Sequence, residues 1–127
     1  MTGKEYQELA GRTNDGNHTT RLVSAVFNPD YRFDINVAEV VNGCLGLTGE
    51  TGEFADMIKK WIFHEKELDA DHAKKEVGDI MWYIAMICKA FQWNLDEIMQ
   101  MNIDKLKARY PEGFDTNLSN NRKSGDV

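Results

Sequence analysis

The sequence predicts an all-α protein, a helical bundle built on one long antiparallel helical hairpin and completed by oligomerisation. Apolar residues recur every three or four positions, first over residues 36–64 and again over residues 71–91. This spacing is typical of amphipathic helices. The segment between them, residues 65–70, is short and charged, so the two helices are expected to pack antiparallel.

Chain length and net charge limit the kinds of molecule that this protein is expected to bind. The 127 residues suffice for one domain with a modest core. A hairpin with flanking helices leaves apolar faces for another copy to cover, so we expect a homodimer or a homotetramer. The formal net charge of -6 argues against nucleic acid or an anionic membrane as a partner.

The expected location is the cytoplasm. Cys44 and Cys88 fall among apolar residues in the middle of predicted helices, which indicates buried core residues in a reducing compartment. No apolar run approaches the roughly 18 to 20 residues that a membrane span requires. The first residues also lack the apolar core of a signal peptide.

Residues 1–33 are expected to form a short helix and a loop. The helix is predicted over Lys4 to Arg12, and Thr13 to Asn17 has the composition of a turn. A second apolar patch, residues 22–27, is interrupted by Pro29, which cannot continue a helix. The pattern leaves open whether residues 20–27 are helical, and whether they form a lid over a pocket or cover the core.

The first long helix is predicted from Asp34 or Asn36 to about His64. Each glycine inside a helix costs up to about 1 kcal/mol relative to alanine. Such glycines indicate close approach of another helix or of a ligand. The helix contains four of them at intervals of three residues, Gly43, Gly46, Gly49 and Gly52.

The second long helix is predicted over residues 71–91, with Asp69 or Asp71 as its N-cap. Met81, Trp82 and Met86 join its main stripe and make it apolar nearly all round. A helix of this kind is expected in the centre of a bundle.

A last helix is predicted over residues 95–110, with Asn94 as its N-cap. Lys105 and Arg109 lie on its packed side, where they would either contact a polyphosphate or form surface ion pairs. The polar segment that follows, residues 115–127, is expected to be disordered.

Two pairs of carboxylates lie on the apolar side of the hairpin, Glu50 with Glu53 and Glu76 with Asp79. A spacing of three residues places both acids of a pair on one helix face. An uncompensated charge there would cost several kcal/mol. Carboxylate oxygens are preferred ligands of Mg²⁺, so we predict a magnesium site, the alternative being that the acids are solvated.

The contexts of these acids resemble the MazG-like all-α nucleoside triphosphate pyrophosphohydrolases. The similarity lies in GLTGETGEFAD at residues 46–56, EVGDIMWY at residues 76–83 and NIDKLKARYPEGF at residues 102–114. It covers roughly residues 36–114 of a predicted catalytic helical domain over residues 34–114.

The resemblance implies a dimeric or tetrameric bundle that hydrolyses an NTP or dNTP to the monophosphate and pyrophosphate with Mg²⁺. Glu53 would also act as the catalytic residue that orients or deprotonates water. Residues 13–34 lie where relatives contact the base, although this stretch matches poorly. By position, the metal ligands would be Glu50, Glu53, Glu76 and Asp79, and the substrate-binding residues Asn102, Lys105 and Arg109.

Other functions share parts of this pattern. An all-α dUTPase or a phosphoribosyl-ATP pyrophosphohydrolase of the same superfamily would have the same acids, and a non-catalytic helical dimerisation module would use the stripes alone. A di-iron carboxylate bundle requires Glu-x-x-His pairs, which Glu50 and Glu76 do not form. Trp61, Trp82 or Tyr83 would either stack on a base or belong to the core.

Overall fold

The computed structural model describes residues 1–27 and 34–127, and within these ranges it contains six helices and no strand. This confirms the predicted all-α class. The helices are α1 (Gly3–Gly11), α2 (His18–Phe27), α3 (Val37–Phe63), α4 (Ala70–Phe91), α5 (Leu95–Arg109) and α6 (Thr116–Asn120).

Helices α3 and α4 form the long antiparallel hairpin and make the most extensive interhelical packing of the described residues. Local capping sets where each begins. The Asn36 side chain accepts a hydrogen bond from the backbone N–H of Glu39 at 3.2 Å, and Asp69 accepts one from that of His72 at 3.0 Å. Such caps satisfy amides that have no partner inside the helix. The predicted hairpin is therefore confirmed, with ends close to those expected.

Helix α1 is opened by a capping box in which Thr2 and Glu5 exchange side-chain to backbone hydrogen bonds. The second apolar patch is helical, since α2 spans His18–Phe27, and this helix contacts α3. The predicted interruption at Pro29 lies outside the described residues.

Two of these four glycines lie at the contact between α3 and α4. A Cβ atom at Gly43 would lie 2.6 Å from Cγ1 of Ile87, and one at Gly46 would overlap the ring of Tyr83. A Cβ at Gly49 or at Gly52 would meet nothing within 4 Å. Close helix packing therefore explains Gly43 and Gly46, but it does not explain Gly49 or Gly52.

The single chain buries little apolar surface. Among the described residues, Cys88 and Ala90 are the only buried apolar side chains, at 6% and 7% exposure. Cys44 is exposed, so the prediction that it lies in the core is wrong for the single chain. The apolar residues expected at the centre of a bundle are also open, since Met81 is 63% and Trp82 53% exposed.

Helix α5 begins at the predicted cap Asn94. The segment after it differs from the predicted disorder, because Asp115 caps the short helix α6 and Asp126 forms an ion pair with Arg109. Polar composition indicates disorder because it offers no core, whereas here a partly buried ion pair with another element holds the segment. In the described ranges, no helix has the length and apolar character needed to cross a membrane.

Candidate metal centre

Three carboxylates converge across the hairpin. Glu50 comes from α3, and Glu76 and Asp79 come from α4; each offers an oxygen, and these oxygens all lie within 4.8 Å of one another. The antiparallel packing of α3 and α4 brings them together, because each acid lies on the face that its helix turns toward the other. Glu50 and Glu76 are half-buried and Asp79 is exposed.

The cluster is electrostatically unfavourable without a cation. Burial raises the pKa of Glu50, and the neighbouring charges of Glu53, Asp79 and Glu76 raise it further. Both effects disfavour the ionised carboxylate. A divalent cation between these side chains would remove the repulsion, which is the usual role of carboxylates in Mg²⁺ binding.

The Glu76 side chain is enclosed, at only 12% exposure. Its Oε1 lies 2.8 Å from Nε2 of His72. Its Oε2 is buried and has no hydrogen-bond partner among the described residues. A buried carboxylate oxygen without a partner is costly, and a bound cation would satisfy it. The donor set therefore fits a hard divalent metal ion.

A cavity of about 510 Å³ adjoins the cluster and shares Glu76 with it. Its volume is within the range of small-ligand sites, which is roughly 300–1,000 Å³. Glu53 lines this cavity but lies outside the group of three converging acids. The other lining residues are Gly49, Gly52, Asp56, Met57, Lys60, Trp61, Lys66, Glu67, Asp69 and His72.

The three aromatic candidates occupy different positions. Trp61 lines the cavity and is 46% exposed. Tyr83 packs over Gly46, and Trp82 meets the Tyr83 ring edge-on at 4.9 Å between ring centroids. Of the three, Trp61 is the one that lines the cavity adjoining the carboxylates.

The predicted phosphate-contacting residues lie elsewhere in the single chain. Lys105 and Arg109 line a second cavity of about 450 Å³, which shares no lining residue with the first. Arg109 donates from Nε to Oδ2 of Asp126 at 2.7 Å and makes a second hydrogen bond to the same carboxylate. Asn102 is exposed on α5 and lines neither cavity.

Sequence reasoning did not select His72, Lys60 or Lys66 as site residues, although all three line the carboxylate cavity. The signal for His72 was available, because it precedes Glu76 by four residues and such residues are neighbours on a helix face. Lys66 lies in the connection between α3 and α4, where no periodic pattern indicates which way its side chain points.

The antiparallel hairpin and its converging acids define an all-α protein with a candidate carboxylate metal centre. Residues 33–114 match the family model described as the MazG nucleotide pyrophosphohydrolase domain, and the chain belongs to this family. The family acts on phosphoric anhydride bonds. This confirms the resemblance drawn from the sequence.

A relative in Mycobacterium phage L5, described as Gene 37 protein, is 34% identical over 83 residues. The match covers 61% of this chain and 72% of that relative. No solved structure matches the chain.

Proposed function

We propose that this protein is a Mg²⁺-dependent nucleoside triphosphate pyrophosphohydrolase, which converts an NTP or dNTP to the monophosphate and pyrophosphate. The observation that supports this most is the convergence of Glu50, Glu76 and Asp79 within 4.8 Å in a member of the MazG family. An exposed acidic cluster alone would carry little weight. Here one carboxylate is nearly buried and has an oxygen without a partner.

Glu50, Glu76 and Asp79 would hold the metal, and Glu53, the fourth acid expected as a ligand, lies in the lining of the adjoining cavity. Glu76 would contribute the unpartnered Oε2. The negative charge of Glu50, which is unfavourable beside the other acids, would be stabilised by contact with the cation. A bound Mg²⁺ supplies positive charge that neutralises phosphate oxygens as the anhydride bond breaks.

Glu53 is the proton acceptor in this proposal. It lines the same cavity but stands outside the converging group, which leaves its oxygens available to water. The water oxygen bonds to phosphorus, the phosphoric anhydride bond between the α and β phosphorus atoms breaks, and pyrophosphate leaves. Glu53 takes the proton that the water loses.

Trp61 and the lysines of the cavity contact the nucleotide. Trp61 offers a half-exposed indole on which a base stacks, and Lys66 offers a positive charge on the same cavity wall. Lys60 already pairs with Asp56 at 2.6 Å, so it is less available to the substrate than Lys66.

Asn102 and Lys105 reach the substrate from a second copy of the chain, and Arg109 joins them when it exchanges its ion pair with Asp126 for the phosphates. Within one chain the cavity that Lys105 and Arg109 line shares no residue with that of the carboxylates, which favours a second copy as the source of these contacts. The exposed apolar residues of α4, among them Met81 and Trp82, provide surface for a homodimer or homotetramer. Burying such surface is favourable by about 25 cal/mol per Å².

Pyrophosphate release from a panel of NTPs and dNTPs, with and without Mg²⁺, tests the proposal. Glu53→Gln and Asp79→Asn are expected to abolish Mg²⁺-dependent release while the helical circular dichroism remains. Asp71→Asn is the matched control, since Asp71 is an exposed acid that pairs with Lys74 at 3.6 Å. Full activity in either site variant would remove that residue from the mechanism.

The same assay separates the alternatives. Activity on dUTP alone would identify an all-α dUTPase, and activity on phosphoribosyl-ATP alone would identify that pyrophosphohydrolase. A non-catalytic dimerisation module would release no pyrophosphate. It would also show no stabilisation by Mg²⁺ and nucleotide, whereas binding at 100 times the dissociation constant stabilises a protein by about 2.7 kcal/mol.

A further inference from the structure

The contact between His72 and Glu76 is a feature of the site that the proposed reaction does not use. The two residues are four apart on α4, and Nε2 of His72 lies 2.8 Å from Oε1 of Glu76. The His72 ring is 57% exposed at the cavity, whereas the Glu76 side chain is 12% exposed. The histidine therefore contacts the enclosed carboxylate from its open side.

The chemistry of the pair sets the direction of the hydrogen bond. A carboxylate that binds a metal ion is ionised and only accepts hydrogen bonds, so in the metal-bound site Nε2 of His72 carries the hydrogen and donates the hydrogen bond to Oε1. Because this hydrogen occupies the position of the nitrogen's in-plane lone pair, Nε2 cannot also coordinate a metal ion. His72 is also not a member of the converging group formed by Glu50, Glu76 and Asp79.

We propose that His72 is a positioning residue for the metal ligand Glu76. Its hydrogen bond occupies Oε1 and fixes the rotation of the carboxylate, which leaves the unpartnered Oε2 for the cation. Outer hydrogen bonds of this kind orient metal ligands and raise their affinity. The inference rests on the proposed function in one respect, that the three acids bind a divalent metal.

The start of α4 holds His72 in place for this task. Asp69 caps the helix and accepts the backbone N–H of His72 at 3.0 Å. The first turn is therefore anchored at the residue that carries the imidazole. One helical turn then places the ring next to Glu76.

Calorimetric titration of Mn²⁺ into the nucleotide-free protein tests this without any measurement of catalysis. His72→Ala is expected to weaken the metal affinity by roughly 10- to 100-fold, the usual effect of losing an outer partner of a metal ligand. His72→Gln is expected to restore most of the affinity, because its amide donates an N–H at a similar reach. His18→Ala is the matched control. His18 begins α2, and it lines neither the cavity that adjoins the acids nor the cavity that contains Arg109.

The outcomes separate this inference from the proposed function. If wild-type protein binds no Mn²⁺ or Mg²⁺, both fail together. If it binds metal and His72→Ala binds equally well, the role of His72 is refuted while the metal centre stands. If His72→Gln is as weak as His72→Ala while both keep wild-type helicity, donation by the side chain is not the cause, and the inference is also overturned.

Discussion

Alanine at Gly46 and at Gly49 is expected to have opposite effects on the free energy of unfolding. Both glycines lie inside α3, three residues apart. A Cβ at Gly46 would overlap ring atoms of Tyr83 on α4, whereas a Cβ at Gly49 would meet nothing within 4 Å. The two variants therefore compare the same substitution in the same helix, at one position packed against an aromatic ring and at one position with open space.

The expected magnitude follows from two opposing effects. Replacing a glycine in a helix interior by alanine stabilises by roughly 0.5–1 kcal/mol, and this gain is shared by both variants. Gly46→Ala additionally forces the Tyr83 ring away, and overpacking of this kind costs about 1–3 kcal/mol. The ring cannot yield at its tip alone, because three of its atoms lie within contact of the new methyl group. Gly49→Ala is thus expected to be the more stable variant by about 1–3 kcal/mol.

Urea unfolding followed by circular dichroism measures this difference. With a slope of about 1–3 kcal/mol per M for a small protein, a 2 kcal/mol difference separates the two midpoints by about 1 M. Both variants must be compared at one protein concentration, since self-association would shift the apparent stability. Equal stabilisation by the two alanines would show that α3 and α4 do not approach closely at Tyr83, and the convergence of the carboxylates would lose its structural basis.

Three further predictions concern charge and substrate contacts. In chelator, Glu50→Gln is expected to be more stable than wild type at pH 8, because burial and neighbouring acids raise the pKa of Glu50 and disfavour its charge in the folded state. This gain in stability should shrink as the pH falls through the raised pKa and below 4.5, because the carboxyl then becomes protonated in both the folded and the unfolded state. Thermal melts of both proteins measure the gain, and the same gain at every pH would contradict the prediction. Asp126→Asn is expected to increase hydrogen exchange in residues 115–127 at pH 7, because Arg109 lowers the pKa of Asp126 and stabilises its charge. In the wild type, the protection of these residues from hydrogen exchange should decrease as the pH falls below 3.8, because Asp126 then becomes protonated. Equal protection in wild type and Asp126→Asn at pH 7 would refute the role of the ion pair. Trp61→Ala is expected to raise the KM for nucleotide by roughly 5- to 150-fold, since stacking of a base contributes about 1–3 kcal/mol. Trp93→Ala, which removes a ring stacked on Phe91, should leave the KM unchanged. An unchanged KM in Trp61→Ala would exclude the stacking.

The sequence alone determined where the long helices α3, α4 and α5 lie, whereas it left α2 open and did not indicate α6. Helical periodicity and the caps Asn36, Asp69 and Asn94 act within a few residues, so they can be recognised without knowing the fold. The short connection between α3 and α4 likewise required an antiparallel hairpin. The family resemblance carried by residues 36–114 agrees with the matched domain over residues 33–114.

Tertiary structure alone decided which of these residues meet. It brings Glu50 to Glu76 and Asp79 but leaves Glu53 outside this group, in the lining of the adjoining cavity, although the sequence spacing treats both pairs alike. It also pairs Arg109 with Asp126, 17 residues along the chain, in a segment whose composition predicts disorder. Such contacts depend on distances between separate elements, and a linear pattern defines only the face of each helix on which a side chain lies.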